Sequence, residues 1–149
     1  MPNNIYLEKR AFAGQVARAG ESGIVALSYI NTDEKPILGG YFVAAAEGVG
    51  NCKNVSSATD SILGVAVVIG IHHEFKSGKN LSVMTIPHGS EIWVQMSEDS
   101  TLAVGDRVKI NGTGPDAGKI SHDGSILTHF YVTDVLGDLA TIMRREVAV

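Results

Sequence analysis

The sequence predicts a mainly β fold: a small antiparallel β-barrel or sandwich preceded by an extended N-terminal arm. Three observations carry this. Glycine supplies 17 of 149 residues and recurs at short intervals from Gly14 to Gly137, as turns between strands would place it. Short β-branched or apolar runs of strand length fill the intervals. No window keeps the i, i+3, i+4, i+7 apolar spacing of an amphipathic helix for three turns. A length of 149 residues suits one domain, and 44% hydrophobic with 19% charged residues can build a core without covalent staples.

In chain order, residues 1–22 read as an arm. Ile5, Tyr6 and Phe12 are interspersed with charges at no regular period, after Pro2, Asn3 and Asn4. Residues 23–149 read as the β-rich body. Its strands are expected at Gly23–Leu27, Ile62–Ile69, Leu81–Ile86, Ile92–Met96, Arg107–Ile110, Ile126–Val135 and Ala140–Met143. The best helical candidate is a single turn at Ser97–Leu102, which Ser97 could cap. Asn111-Gly112 and the following Thr-Gly-Pro-Asp-Ala-Gly provide left-handed positions and a preset proline φ, so Val108–Ile110 and Lys119–Ser121 form a hairpin. A second turn is expected at His122-Asp-Gly124, and Leu136-Gly-Asp138 joins the last two strands.

Charge and composition exclude several functions. The net charge is -4, and the basic residues, the pair Arg144-Arg145 among them, form no stripe with which to neutralise nucleic-acid phosphates. The longest apolar stretch, Ile62 to Ile71, is far shorter than the ~20 residues that span a bilayer, so no membrane partner is expected. One cysteine, Cys52, cannot build a disulfide framework and reads as an unremarkable loop thiol.

Candidate chemistry is thin. His72-His73-Glu74 with His88 invites a metal site or a histidine-based enzyme. Adjacent histidines on a strand face opposite ways, however, and helical i, i+4 ligand spacing is missing. The stretch from Gly112 to Ile120 imitates a phosphate loop but has Thr113 where the first glycine belongs and Ile120 where a magnesium-binding hydroxyl belongs. No Gly-x-Ser-x-Gly elbow occurs. The expectation is no enzyme, no metal and no cofactor.

What remains is surface. In Glu91–Met96, alternation sets Ile92, Val94 and Met96 on one face and Trp93 among polar residues on the other. A solvent-facing tryptophan is a candidate interface anchor, and intramolecular packing is the competing explanation. Ile5, Tyr6 and Phe12 of the arm raise the same question, so Ile5, Tyr6, Phe12 and Trp93 are the candidate interface residues, facing either a partner or a sister subunit.

Pro36-Ile-Leu-Gly-Gly-Tyr-Phe-Val43, then Ser57–Val67 with its Ile-Leu-Gly-Val-Ala strand, then Leu102-Ala-Val-Gly-Asp-Arg-Val-Lys109 form a series. Over roughly Gly23 to Thr133 it resembles the bacteriophage capsid cement, or decoration, proteins. That resemblance implies a structural protein of the virion, made in the host cytoplasm. Such a protein binds the outer surface of the head and bridges major capsid protein subunits as a homo-oligomer, trimer or dimer. The alternative function is a β-sandwich binding module for carbohydrate or peptide, working through Trp93 and Tyr131.

Overall fold

The computed structural model of the protein describes residues 11–20, 25–68 and 70–145. Among these residues there are thirteen strands and no helix. The first five are β1 (Val16–Arg18), β2 (Ala26–Asn31), β3 (Ile37–Leu38), β4 (Phe42–Ala45) and β5 (Asn51–Asn54). Next come β6 (Ile62–Ala66), β7 (Glu74–Phe75), β8 (Asn80–Met84) and β9 (Glu91–Gln95). The series ends with β10 (Arg107–Ile110), β11 (Ile120–Ser121), β12 (Ile126–Leu136) and β13 (Leu139–Arg144).

The strands sort into two lobes. One is a closed five-stranded barrel in the order β2-β5-β4-β6-β8, to which the small β3-β7 ribbon is added. The other is a six-stranded sheet in the order β1-β9-β13-β12-β10-β11. The fold is therefore mainly β, with a barrel as expected. One departure is the parallel pairing of β2 with β5, where Ile30 faces Asn51 and Asn31 faces Cys52. The six-stranded sheet is antiparallel throughout. Its far edge curls back, because Ile120 of β11 forms a parallel bridge with Met96 just beyond β9.

Alternation along β4, β6 and β8 builds two cores at once. Val43, Cys52, Ala66, Leu81 and Val83 point into the barrel, where Ile37 and Phe75 of the ribbon join them. Phe42, Ala44, Val65 and Met84 point out of it, into a larger core shared with Ile92, Val94, Ile110, Phe130 and Ile142 of the sheet. The Phe42 and Phe130 rings meet across the lobes at 5.9 Å. Strands buried on both faces read as continuous apolar runs, which explains the composition of Ile62–Ala66. Within that run, Ile62 and Val65 serve the shared core while Leu63 and Ala66 serve the barrel, an offset that plain alternation forbids. A bulge resolves it: β4 advances one residue, Val43 to Ala44, while β6 steps two, Gly64 to Ile62. Gly64 sits where a Cβ would come within 2.1 Å of the Met84 carbonyl oxygen, so only glycine fits the bulge.

The lobes are also laced through backbone. Gly40 donates its N–H to Ala66 of the barrel and accepts at its carbonyl from the N–H of Gln95 of the sheet. Gly14 does the reverse, donating to Trp93 and accepting from Val68. A Cβ on Gly40 would lie 2.7 Å from the Gly14 nitrogen, so the Gly39-Gly40 step is a contact requirement. The chain crosses between lobes after β1 and after β8, and the two crossings touch where the Gly20 N–H donates to Ser90 Oγ at 3.0 Å. Ile86 in the second crossing is fully buried with φ at +54°, a region that β-branched residues avoid. Such a backbone costs about 1–3 kcal/mol and persists only because the surrounding core fixes it.

Several local expectations hold, and others are corrected. The hairpin β10-β11 pairs Ile110 with Ile120, and β12-β13 closes through the two residues Gly137-Asp138. His122-Asp-Gly124 is not a simple hairpin turn. β11 and β12 flank β10 on opposite sides, so residues 122–125 pass across β10, with Gly124 packed on the Lys109–Ile110 backbone. Ser97–Leu102 is no helical turn; Ser100 donates to the Ser97 carbonyl in a reverse turn. Part of the stretch read as an arm is a strand, since Val16–Arg18 pairs with β9. Cys52 is in a core strand, not a loop, and burial pushes its thiol up to about 11.

Polar side chains fasten the loops around the barrel. Asn31 is fully buried and satisfied: its amide donates to the Phe75 and Lys35 carbonyls at 2.9 and 3.1 Å and its oxygen accepts from the Asp33 N–H. Partial burial pushes the Asp33 carboxyl up, but hydrogen bonds from the Lys35 N–H, from the Asn54 side chain and N–H and from the Glu34 N–H outweigh it. They hold the group below the usual carboxylate range. Asp60 is held low in the same way against burial, by the Ser56 and Ser57 N–H groups and the Lys53 ammonium at 3.2 Å.

Three outcomes follow from this architecture. Gly64→Ala is expected to cost about 3 kcal/mol in urea unfolding, whereas Gly137→Ala, whose surroundings are open, costs about 1 kcal/mol for its positive φ alone. A carboxyl whose folded pKa lies below its unfolded value of about 4 adds stability that is fully present above that value and is lost as pH falls through the folded one. Asp33→Asn and Asp60→Asn should therefore lower the urea midpoint at neutral pH, with the gap to wild type closing below about pH 4. Cys52 should resist a maleimide or disulfide reagent near pH 8 in the folded protein and react fully once urea is added, with the thiol counted by mass spectrometry.

Candidate functional site

The four residues expected at an interface have different fates. Ile5 and Tyr6 lie outside the described residues. Phe12 stands on the surface, 44% exposed, with its ring edge-on to that of His73 at 5.2 Å. Trp93 corrects the expectation of a solvent-facing indole, because only 8% of it is exposed. The sequence argument assumed that one face of β9 is wet. In the fold β1 and the turn before it pair along the edge of β9, with the Trp93 backbone N–H donating to the Gln15 carbonyl and the Trp93 carbonyl accepting from the Gly14 N–H. On the other side Thr141 of β13 is its cross-strand partner. Intramolecular packing, the competing explanation, is what the structure has.

The other candidates are likewise placed by their surroundings. His72, His73, Glu74 and His88 are all exposed, and among the described residues no three His, Cys, Asp or Glu side chains gather as a ligand set would require. The Gly112–Ile120 stretch is a hairpin tip whose amides are spent internally: Gly118 donates to the Asn111 carbonyl and Ala117 to that of Gly114. The tip docks on the barrel, where the Gly118 carbonyl accepts from the Phe42 N–H at 2.9 Å. Lys119, which a phosphate loop would aim at its ligand, instead pairs with Asp116 at 3.0 Å. That hydrogen bond raises the pKa of the lysine against the opposing effect of burial. Tyr131, the other aromatic considered for glycan stacking, has its ring 5.4 Å from the Arg145 guanidinium.

One depression on the described surface has no local sequence signature. A groove of about 570 Å³ follows the seam between the lobes. One wall is Ile62–Gly64 of β6, the other is Ile126–Phe130 of β12, and Thr85 and His88 of the second crossing close one end. Arg144 and Arg145 stand on its rim at the end of β13. The only signal available beforehand was the Arg144-Arg145 pair, whose place beside β6 depends on lobe packing that no local pattern encodes.

Comparison with solved structures gives the fold a wider setting. The chain is similar to a chain in "The capsid of Myoviridae Phage XM1", with TM-score 0.69 and 15% sequence identity over 95% of both chains. It is also similar to the head fiber gp8.5 N base of bacteriophage phi29, with TM-score 0.51 and 17% identity over 82% of this chain and 94% of that one. No curated protein sequence matches it. At the level of sequence, the XM1 gp53 minor capsid protein family matches residues 2–142, nearly the whole chain. This bacteriophage protein of two packed β lobes belongs to the XM1 gp53 minor capsid protein family.

Proposed function

We propose that the protein is a cement protein: it binds the outer surface of a phage head and ties neighbouring major capsid protein subunits together, a structural role with no catalysed reaction. The family match over residues 2–142 to a minor capsid protein is the observation that carries this reading. The two-lobed body supports it, since both cores are closed by the chain's own strands and leave the surface available for contact. Phe12 is the described part of the attachment face, with Ile5 and Tyr6 preceding it on the same segment. An exposed aromatic buries large area at low entropic cost when a partner covers it. Val25, Leu27 and Ile30, between 40% and 50% exposed on or beside β2, are further apolar groups available for association of copies as dimers or trimers. Many copies, each touching more than one subunit, gain avidity through effective concentration, so each contact can be weak while the shell as a whole is held firmly.

Heads prepared without this protein test the proposal. Adding purified protein should raise the temperature at which heads release their contents, and Phe12→Ala should weaken that effect without changing the melting temperature of the free protein. Equal resistance of bare and decorated heads to heat and low salt would refute the role. Multi-angle light scattering on the free protein reads the subunit number, with a lone monomer counting against self-association.

A further inference from the structure

We infer that the seam groove between β6 and β12 is the seat of an acidic, partly apolar peptide segment of the shell subunit that this protein binds. The inference rests on the cement reading and names the chemistry of its partner. Among the described residues that line the groove, four carry cationic or imidazole groups, His88, His129, Arg144 and Arg145, and none is an aspartate or glutamate. In a chain of net charge -4 that is a local inversion of sign, and it selects an anionic occupant.

The two arginines are held in place. The Arg144 guanidinium lies 5.5 Å from the centre of the Phe130 ring and donates from Nη2 to the Thr85 carbonyl at 3.4 Å. Arg145 lies over Tyr131, and its backbone N–H is fixed on the His129 carbonyl at 3.0 Å. Among the described residues neither guanidinium meets a carboxylate. Side chains ordered in advance on aromatic faces lose less entropy on pairing, and a guanidinium fork matches a carboxylate in bidentate fashion. The walls ask for something else as well. Leu127 is 61% exposed, and Ile62 and Ile126 line the groove with it. A bare anion would leave that apolar surface wet, whereas a peptide bringing carboxylates beside an apolar side chain covers both.

Rebinding of purified protein to heads stripped of it tests the assignment. Arg145→Glu, at an exposed position, should lower the apparent affinity roughly tenfold or more, and added salt should weaken the wild type in the same direction. Lys76→Glu, on the exposed turn after β7, should bind like wild type. Arg145→Lys keeps the charge and supplies an amine for zero-length carbodiimide coupling. Linked peptides read by mass spectrometry should then join position 145 to an aspartate or glutamate of the shell subunit. If wild type fails to bind stripped heads, the cement reading falls and takes the groove's partner with it. If wild type binds and Arg145→Glu binds equally, the groove assignment alone falls. Links solely to a second copy of this chain, or retention of a DNA duplex that depends on Arg145, would also overturn it.

Discussion

Burial of both faces of β4, β6 and β8 is the constraint on which the rest of the molecule depends. Where these strands wall the barrel and also floor the sheet, along β4 and β6 and at Val83–Met84 of β8, residues of both parities must be apolar. Val43, Val65, Ala66 and Val83 are each completely buried, and a polar side chain at any of them would lose water without gaining a partner, at about 1–3 kcal/mol. The bulge at Gly64, the backbone lacing through Gly14 and Gly40 and the strained Ile86 all serve this doubly covered layer. Neither core is complete without it.

How much of this was legible in the sequence depended on how local the cause was. β10 was read with its observed boundaries, and β9, β12 and β13 to within about two residues, because each combines alternation or β-branched composition with a turn signal next to it. The short strands β3, β5 and β7 were not read. Asn51-Cys-Lys-Asn54 has no strand-like composition and becomes a strand only because β2 and β4 hold it from both sides. Reading Val16–Arg18 as arm leaves the edge of β9 unpaired, where β1 in fact lies. Alternation among the polar residues Glu91 and Gln95 gives Trp93 a wet face, whereas its side chain is 8% exposed. The groove was invisible because β6 and β12 are more than sixty positions apart where they line it and meet only through the shared core.

That groove is also built on the rigid part of the fold. Its walls are strands and not loops, and Arg144 lies at the end of β13, the strand that pairs with both β12 and β9. Groups carried on such elements keep their spacing without help from a ligand, which favours selective contact over adaptable contact. Phe12 differs: it stands on the segment leading into β1, with one ring neighbour described. On the cement reading, a firmly built seat and a lightly held aromatic would be two distinct means of engaging a neighbour.

The curl that joins β11 to Met96 has a further effect. It leaves the six-stranded sheet with β1 as its open margin, and β1 has three features that hinder polymerisation: it is three residues long, its register slips between Val16 and Arg18, and Arg18 projects a charge from it. Molecules crowded at high density therefore find little unpaired main chain at this margin along which to zip together into fibrils.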